Sequence, residues 1–256
     1  MDETKRRIPF VESLKIDSLQ GKWFARVLFV FVVAIYSVTQ LFPIGDTDFS
    51  AYLRWYNQVA EAKPSDLASV GFPVITVGNI IFLATQLSFM FTYVFLSFLY
   101  LSVYLSERSQ LSAWKGMLKF IKRLPTLILF VMIITVPFAL PLLSFPPILI
   151  FIVPHVFLAP ALIIAEKKGP VEGVLLSMRD TYGIKLSIVS RVLILSVSLL
   201  LILLIFAIFI DPYVKLFRMI EGFFVAFYVL SFGRMMGVTY NYVISEKNRP
   251  GPEGRI

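Results

Sequence analysis

Cysteine is absent from the chain, which excludes disulfides, thiolate metal sites and thiol nucleophiles and leaves the redox compartment open. Histidine occurs once, as His155. Charged residues make up only 16% of the sequence, against roughly a quarter in an ordinary soluble domain. No H-E-x-x-H, G-x-S-x-G or P-loop pattern is present. A metal site would therefore have to come from carboxylates, and the apolar runs hold almost none away from their edges. Serines such as Ser88, Ser97, Ser187, Ser196 and Ser198 have no evident base. The expectation is a protein without catalytic residues, cofactor or metal, and without the paired ionisable groups of a proton-coupled pump.

What the sequence has in abundance is apolar surface: 58% of residues are hydrophobic and 25 are Phe. Several apolar runs exceed the ~18 residues that mark a transmembrane helix. The fold class is all-α membrane, with six spans expected at 24–43, 72–104, 124–145, 146–165, 186–210 and 219–243 as one domain over 24–243. A cytosolic leader occupies 1–23 and a disordered cytosolic tail 244–256. The leader is polar through Arg26, too long for a cleavable signal, so the first apolar run is expected to be retained. The second run is longer than a crossing needs and should tilt or protrude. Pro146 and Pro147 favour a tight turn between the third and fourth.

Net charge is +8, and its distribution speaks for membrane orientation rather than nucleic acid. The leader, 105–123, 166–185 and the tail together hold 18 Lys and Arg; the opposite set holds only Arg54, Lys63, Lys215 and Arg218. The positive-inside rule then places both termini in the cytosol.

Two polar segments carry helical stripes. In "GPVEGVLLSMRD", Val171, Val174, Leu175 and Met178 recur at helical spacing, with Glu172, Arg179 and Asp180 off the stripe. Gly169 is expected to end the previous helix in a left-handed conformation and Pro170 to begin the next. Leu111, Trp114, Leu118 and Ile121 form a second stripe beside Lys115, Lys119 and Lys122. Both read as short interfacial helices on the cytosolic side; "PFVESLKI" in the leader is a weaker version. Three units of interfacial helix plus hairpin follow, without a matching side-chain pattern between them. The aromatic outer loop, with Phe49, Tyr52, Trp55 and Tyr56, should form a short helix at the headgroup level. Its Asp46 and Asp48 lack the further oxygen ligands of a cation site.

Polar groups within the spans are the remaining candidates. His155, between Pro154 and Pro160, would relay protons, bind an anionic headgroup or hydrogen-bond a neighbouring helix; the two prolines should kink the span. Asn79 and Gln86 share one helix face and should hydrogen-bond between helices. Arg191 and Arg234 should snorkel to the interface. Arg234 lies within Gly233-x-x-x-Gly237, a close-packing spacing that would hold it against a neighbouring span, where it could meet a lipid phosphate.

The stretch "LAPALIIAEKKGPVEGVLLSMRDTYG" resembles a segment of six-span prokaryotic membrane proteins, the YciC-like group and the membrane domain attached to some glycerophosphodiester phosphodiesterases. The matching positions are Pro160, Glu166, Gly169, Ser177 and Gly183. Gly173 stands where Ala is commoner, and the long outer loop is not general in the group. The resemblance implies a non-catalytic membrane module and brings no catalytic residues. The leading expectation is a binding protein (scaffold, assembly factor or accessory subunit) whose partners are membrane lipids and possibly another membrane protein. The alternative is a transporter or flippase for an amphipathic or anionic substrate.

Overall fold

The structure is a computed structural model that describes residues 10–63, 71–73, 75–144, 149–211 and 214–247, with only the backbone over 138–144 and 149–150. Among the described residues there are ten helices and no strand. They are α1 (Phe10–Leu14), α2 (Lys22–Leu41), α3 (Ser50–Glu61), α4 (Val77–Arg108), α5 (Ala113–Ser144), α6 (Leu149–Val156), α7 (Ala159–Ala165), α8 (Pro170–Asp180), α9 (Lys185–Phe209) and α10 (Lys215–Lys247). Among the described residues, five helices are long and apolar enough to cross a bilayer: α2, α4, the first 25 residues of α5, α9 and α10. Only 6% of the most apolar window of α9 is buried, leaving Leu193, Ile194, Val197, Leu200, Leu204 and Ile208 on its surface. Water is a poor solvent for such a helix, whereas lipid is a good one. The chain is an all-α membrane protein.

Helix α10 is the axis of the bundle, packing on α2 and α4 along its length and also touching α1, α7 and α9. At about 1.5 Å per residue, α4 and α10 are each close to 50 Å long and overhang a hydrocarbon layer of about 30 Å. The close packing is unevenly distributed. Apart from Asn79 at its start, the buried residues of α4 lie between Ser97 and Glu107. The other half of that helix exposes Val77, Ile80, Ile81, Leu83, Leu87 and Met90. The core thus gathers at the end that holds α1 and the C-terminal end of α10, called the basic end below.

Several expectations about helices are corrected. The stripe around Trp114 is not a separate interfacial helix: 113–144 is one continuous helix, and the stripe lies in its first turns. Gly116 allows this, since a Cβ there would press on the Val103 backbone of α4, and Ser102 Oγ donates to the Gly116 carbonyl at 2.7 Å. The segment around span four, by contrast, is two short helices, α6 and α7, interrupted at Phe157–Leu158. Pro154 stays inside α6, and Pro160 sits in the first turn of α7, where its missing N–H costs nothing. Helix α8 is separate, as the corner at Gly169–Pro170 implies. The left-handed residue before it is Lys167 (φ 60°), however, while Gly169 is extended and serves as N-cap. The Pro146–Pro147 turn, residues 1–9 of the leader and the tail from 248 lie outside the described residues, and 244–247 belong to α10.

Candidate functional site

At the basic end, α10 and α4 approach so closely that side chains at two positions are excluded. A Cβ on Gly233 would run into the carbonyl of Ser97, and one on Gly237 into the ring of Tyr104. Arg234, the first of the three residues between them in sequence, is carried into the interior and is only 2% exposed. It does not snorkel. Its Nε donates to the carbonyl of Glu12 and its Nη2 to Ser18 Oγ, each at 2.5 Å, and its guanidinium carbon stands 5.0 Å from the centre of the Tyr104 ring. These partners are all neutral, Nη1 has no hydrogen-bond partner, and among the described residues no carboxylate forms an ion pair with it.

Arg234 is one of three buried groups that hold the leader. Tyr100 of α4 donates its hydroxyl to the Ile16 carbonyl at 2.7 Å. The Glu107 carboxylate accepts the backbone N–H groups of Gln20 and Gly21, at 2.8 and 2.9 Å. Gly21 is the N-cap of α2, which has no side-chain cap of its own, so Glu107 supplies the negative charge that a helix N-terminus favours. A Cβ at Gly21 would already stand 3.0 Å from that carboxylate. Backbone groups outside regular helix must find partners when buried, and here α4 and α10 provide them. Arg108 adds an ion pair to Glu12 at 3.6 Å. Between these elements lies a polar cavity of about 270 Å³, whose wall includes Ser18, Gln20, Tyr104, Glu107, Arg108 and Arg234.

A second polar arrangement closes the break in the α6–α7 segment. The free N–H of Leu158 donates to Ser177 Oγ of α8 at 3.0 Å, in a fully buried contact. Gly173, one turn earlier, packs on Ile163, and the Thr181 hydroxyl donates to the Ser177 carbonyl at 2.8 Å. The face of α8 toward the bundle is therefore the small-residue face. The apolar stripe Val171, Leu175, Met178 points outward, with Val174 half-buried. Tyr240 donates to Glu166 at 3.0 Å, and Lys247 pairs with Asp180 at 2.5 Å, so α10 is tied to both ends of this corner. On the exposed side, Lys168 pairs with Glu172 at 2.7 Å; the lysine holds that carboxyl below its ordinary range, and the carboxylate raises the lysine.

The remaining sequence candidates are scattered. Asn79 does not bridge two spans. It completes a capping box with Thr76 at the start of α4 and donates to the carbonyls of Asp46 and Asp48, so it fastens the outer loop. Asp46 and Asp48 spend their carboxylates on Asp48 N–H, Thr76 Oγ and Ser50 N–H. Gln86 does meet another helix, accepting from Gln40 of α2 at 3.5 Å. His155 Nδ1 lies 2.6 Å from the carbonyl of Phe151 in its own helix and is not in the cavity wall with Arg234. Arg191 does not snorkel either: it is 8% exposed, on the buried stripe Ile188, Arg191, Leu195, Leu199 of α9. Trp114 and Lys115 are exposed at the start of α5, with Lys119 half-buried.

Tyr100 and Glu107 are the site residues that sequence reading passed over. Glu107 had a visible signal, as the single carboxylate in the basic segment 105–123. No protein-family model, curated protein or solved structure matches the chain.

Proposed function

We propose that this is a non-catalytic binding protein of a prokaryotic cytoplasmic membrane, with both termini in the cytosol, acting as a scaffold, assembly factor or accessory subunit. The observation that carries this reading is the placement of the buried polar groups. Tyr100, Glu107 and Arg234 all serve to fix the leader on the basic end. With the α4–α5 overhang and α8, the leader makes a shaped, basic platform outside the apolar layer. A surface of this kind suits a partner that approaches from the cytosol. The resemblance of 158–183 to a six-span, non-catalytic group supports the same reading.

The second reading, transport of an amphipathic or anionic substrate, draws on the interrupted α6–α7 segment, because broken helices line many transporter sites. The freed Leu158 N–H is engaged by Ser177, however, and His155 Nδ1 by its own helix. The deciding experiment is purification of the tagged protein from its native membrane in mild detergent, with co-purifying proteins and lipids identified together. A stoichiometric protein partner is the expected result. A protein that emerges alone with one enriched amphiphile would put transport in its place.

A further inference from the structure

We propose that the cavity between the leader, α4 and α10 binds a phosphate-bearing anion, with Arg234 and Arg108 as its cationic wall. The inference goes beyond the partner-binding reading and does not depend on it.

Burying a guanidinium is costly unless its charge is compensated, and Arg234 at 2% exposure is met by a carbonyl, the Ser18 and Tyr100 hydroxyls and an aromatic face, none of them charged. Arg has five N–H donors; those on Nη1 have no hydrogen-bond partner. The carboxylate that shares the cavity wall, Glu107, is already engaged by two backbone N–H groups. Glu107 is the one carboxylate in the wall and makes no ion pair with Arg234, so the two guanidiniums outnumber it and a bound anion would balance the excess positive charge.

The remaining wall fits that role. Arg108 lies over the same Tyr104 ring as Arg234, 5.6 Å from its centroid; its side chain is 56% exposed and its 3.6 Å pair with Glu12 is loose, so it is free to turn toward a ligand. Ser18 and Gln20 are exposed at the rim and carry further donors. A volume of about 270 Å³ is several times that of one water in the liquid, about 30 Å³, and admits a phosphate group. Two guanidiniums favour a doubly charged phosphate over a single carboxylate. The cavity adjoins the last turn of α4 at Arg108, and with α4 spanning a bilayer that turn would lie near the lipid phosphates. A phosphomonoester headgroup and free phosphate share the chemistry that this wall recognises.

The test follows the thermal unfolding midpoint of the purified full-length protein in a non-ionic detergent. It is titrated with inorganic phosphate, with short-chain phosphatidic acid, and with the matching phosphate-free diacylglycerol. A saturable rise with either phosphate compound and none with the diacylglycerol is expected. A rise with inorganic phosphate identifies the free anion as sufficient; a rise with phosphatidic acid alone identifies a lipid headgroup. Arg108→Gln, a largely exposed position, should weaken the apparent affinity about tenfold or more while folding normally. Arg234→Gln should abolish the response. No saturable rise with either phosphate compound, or an unchanged response in Arg108→Gln, would overturn the proposal.

Discussion

Arg234 and Glu12 stand 222 positions apart in the chain, and the guanidinium of one donates to the backbone carbonyl of the other at 2.5 Å. That contact joins the last helix to the first, and it recruits a backbone atom rather than a side chain. Replacing Arg234 with Gln removes the bonds to Glu12 and Ser18 together. Hydrogen bonds to charged groups are worth about 1.5–3 kcal/mol each, so the variant should lose about 2 kcal/mol or more. Lys should not rescue it, because it lacks the planar fork. Thermal unfolding in detergent and limited proteolysis of residues 10–21 report both effects.

Gly237→Ala tests the packing that seats Arg234. Its Cβ meets the Tyr104 ring, which can shift, whereas the Cβ of Gly233→Ala meets the Ser97 backbone, which cannot shift without moving α4. Overpacking of this kind costs about 1–3 kcal/mol, and Gly233→Ala should be the worse of the two. Melting temperatures of the two variants, measured side by side, give the order.

The Gly-x-x-x-Gly spacing was legible as close helix packing, and the apolar runs as long helices. What they packed against was not legible. The leader is held through the backbone of Ile16, Gln20 and Gly21, and backbone atoms leave no trace in side-chain patterns. Asn79 was misread because one helix turn separates a capping position from a mid-span one, although Thr76 three residues earlier is the signature of a capping box. Arg191 and Arg234 were expected at the interface because snorkelling needs only reach. The structure shows that each lies on the stripe of its helix that faces the bundle. Ser177, singled out by resemblance alone, acquires a physical role as the partner of Leu158.

Ser177→Ala should leave the buried Leu158 N–H unsatisfied, a penalty of about 1–3 kcal/mol. The loss is local to the α6–α7 junction. Hydrogen exchange should therefore accelerate at Leu158 and its neighbours more than in α2 or α10, and uniform acceleration would count against a junction role.

Acidification should loosen the start of α3. The Asp48 carboxyl is held below its ordinary value by hydrogen bonds from Ser50. A depressed carboxyl contributes stability above its unfolded value, and that contribution is lost as pH falls through the folded one. Protection of the Ser50 amide, measured against its intrinsic exchange rate, should fall only at strongly acidic pH, and Asp48→Asn should flatten that response.

Orientation is open to direct labelling, since the chain has no cysteine of its own. Glu61→Cys in α3 and Ser112→Cys before α5, both at exposed positions, should react with an impermeant thiol reagent from opposite sides of the membrane. Reaction from one side would break the proposed topology.

Arg234 fastens the leader to the basic end of the bundle, and a thiol at Ser13 reports that docking. Ser13 lies in α1, is 1% exposed, and its hydroxyl has no hydrogen-bond partner, so Ser13→Cys changes little else. In native membranes that thiol should resist a water-soluble maleimide in the otherwise unchanged protein and react readily once Arg234→Gln is added. Equal, rapid labelling in both backgrounds would mean that the leader is not docked, and the account built on it would fail.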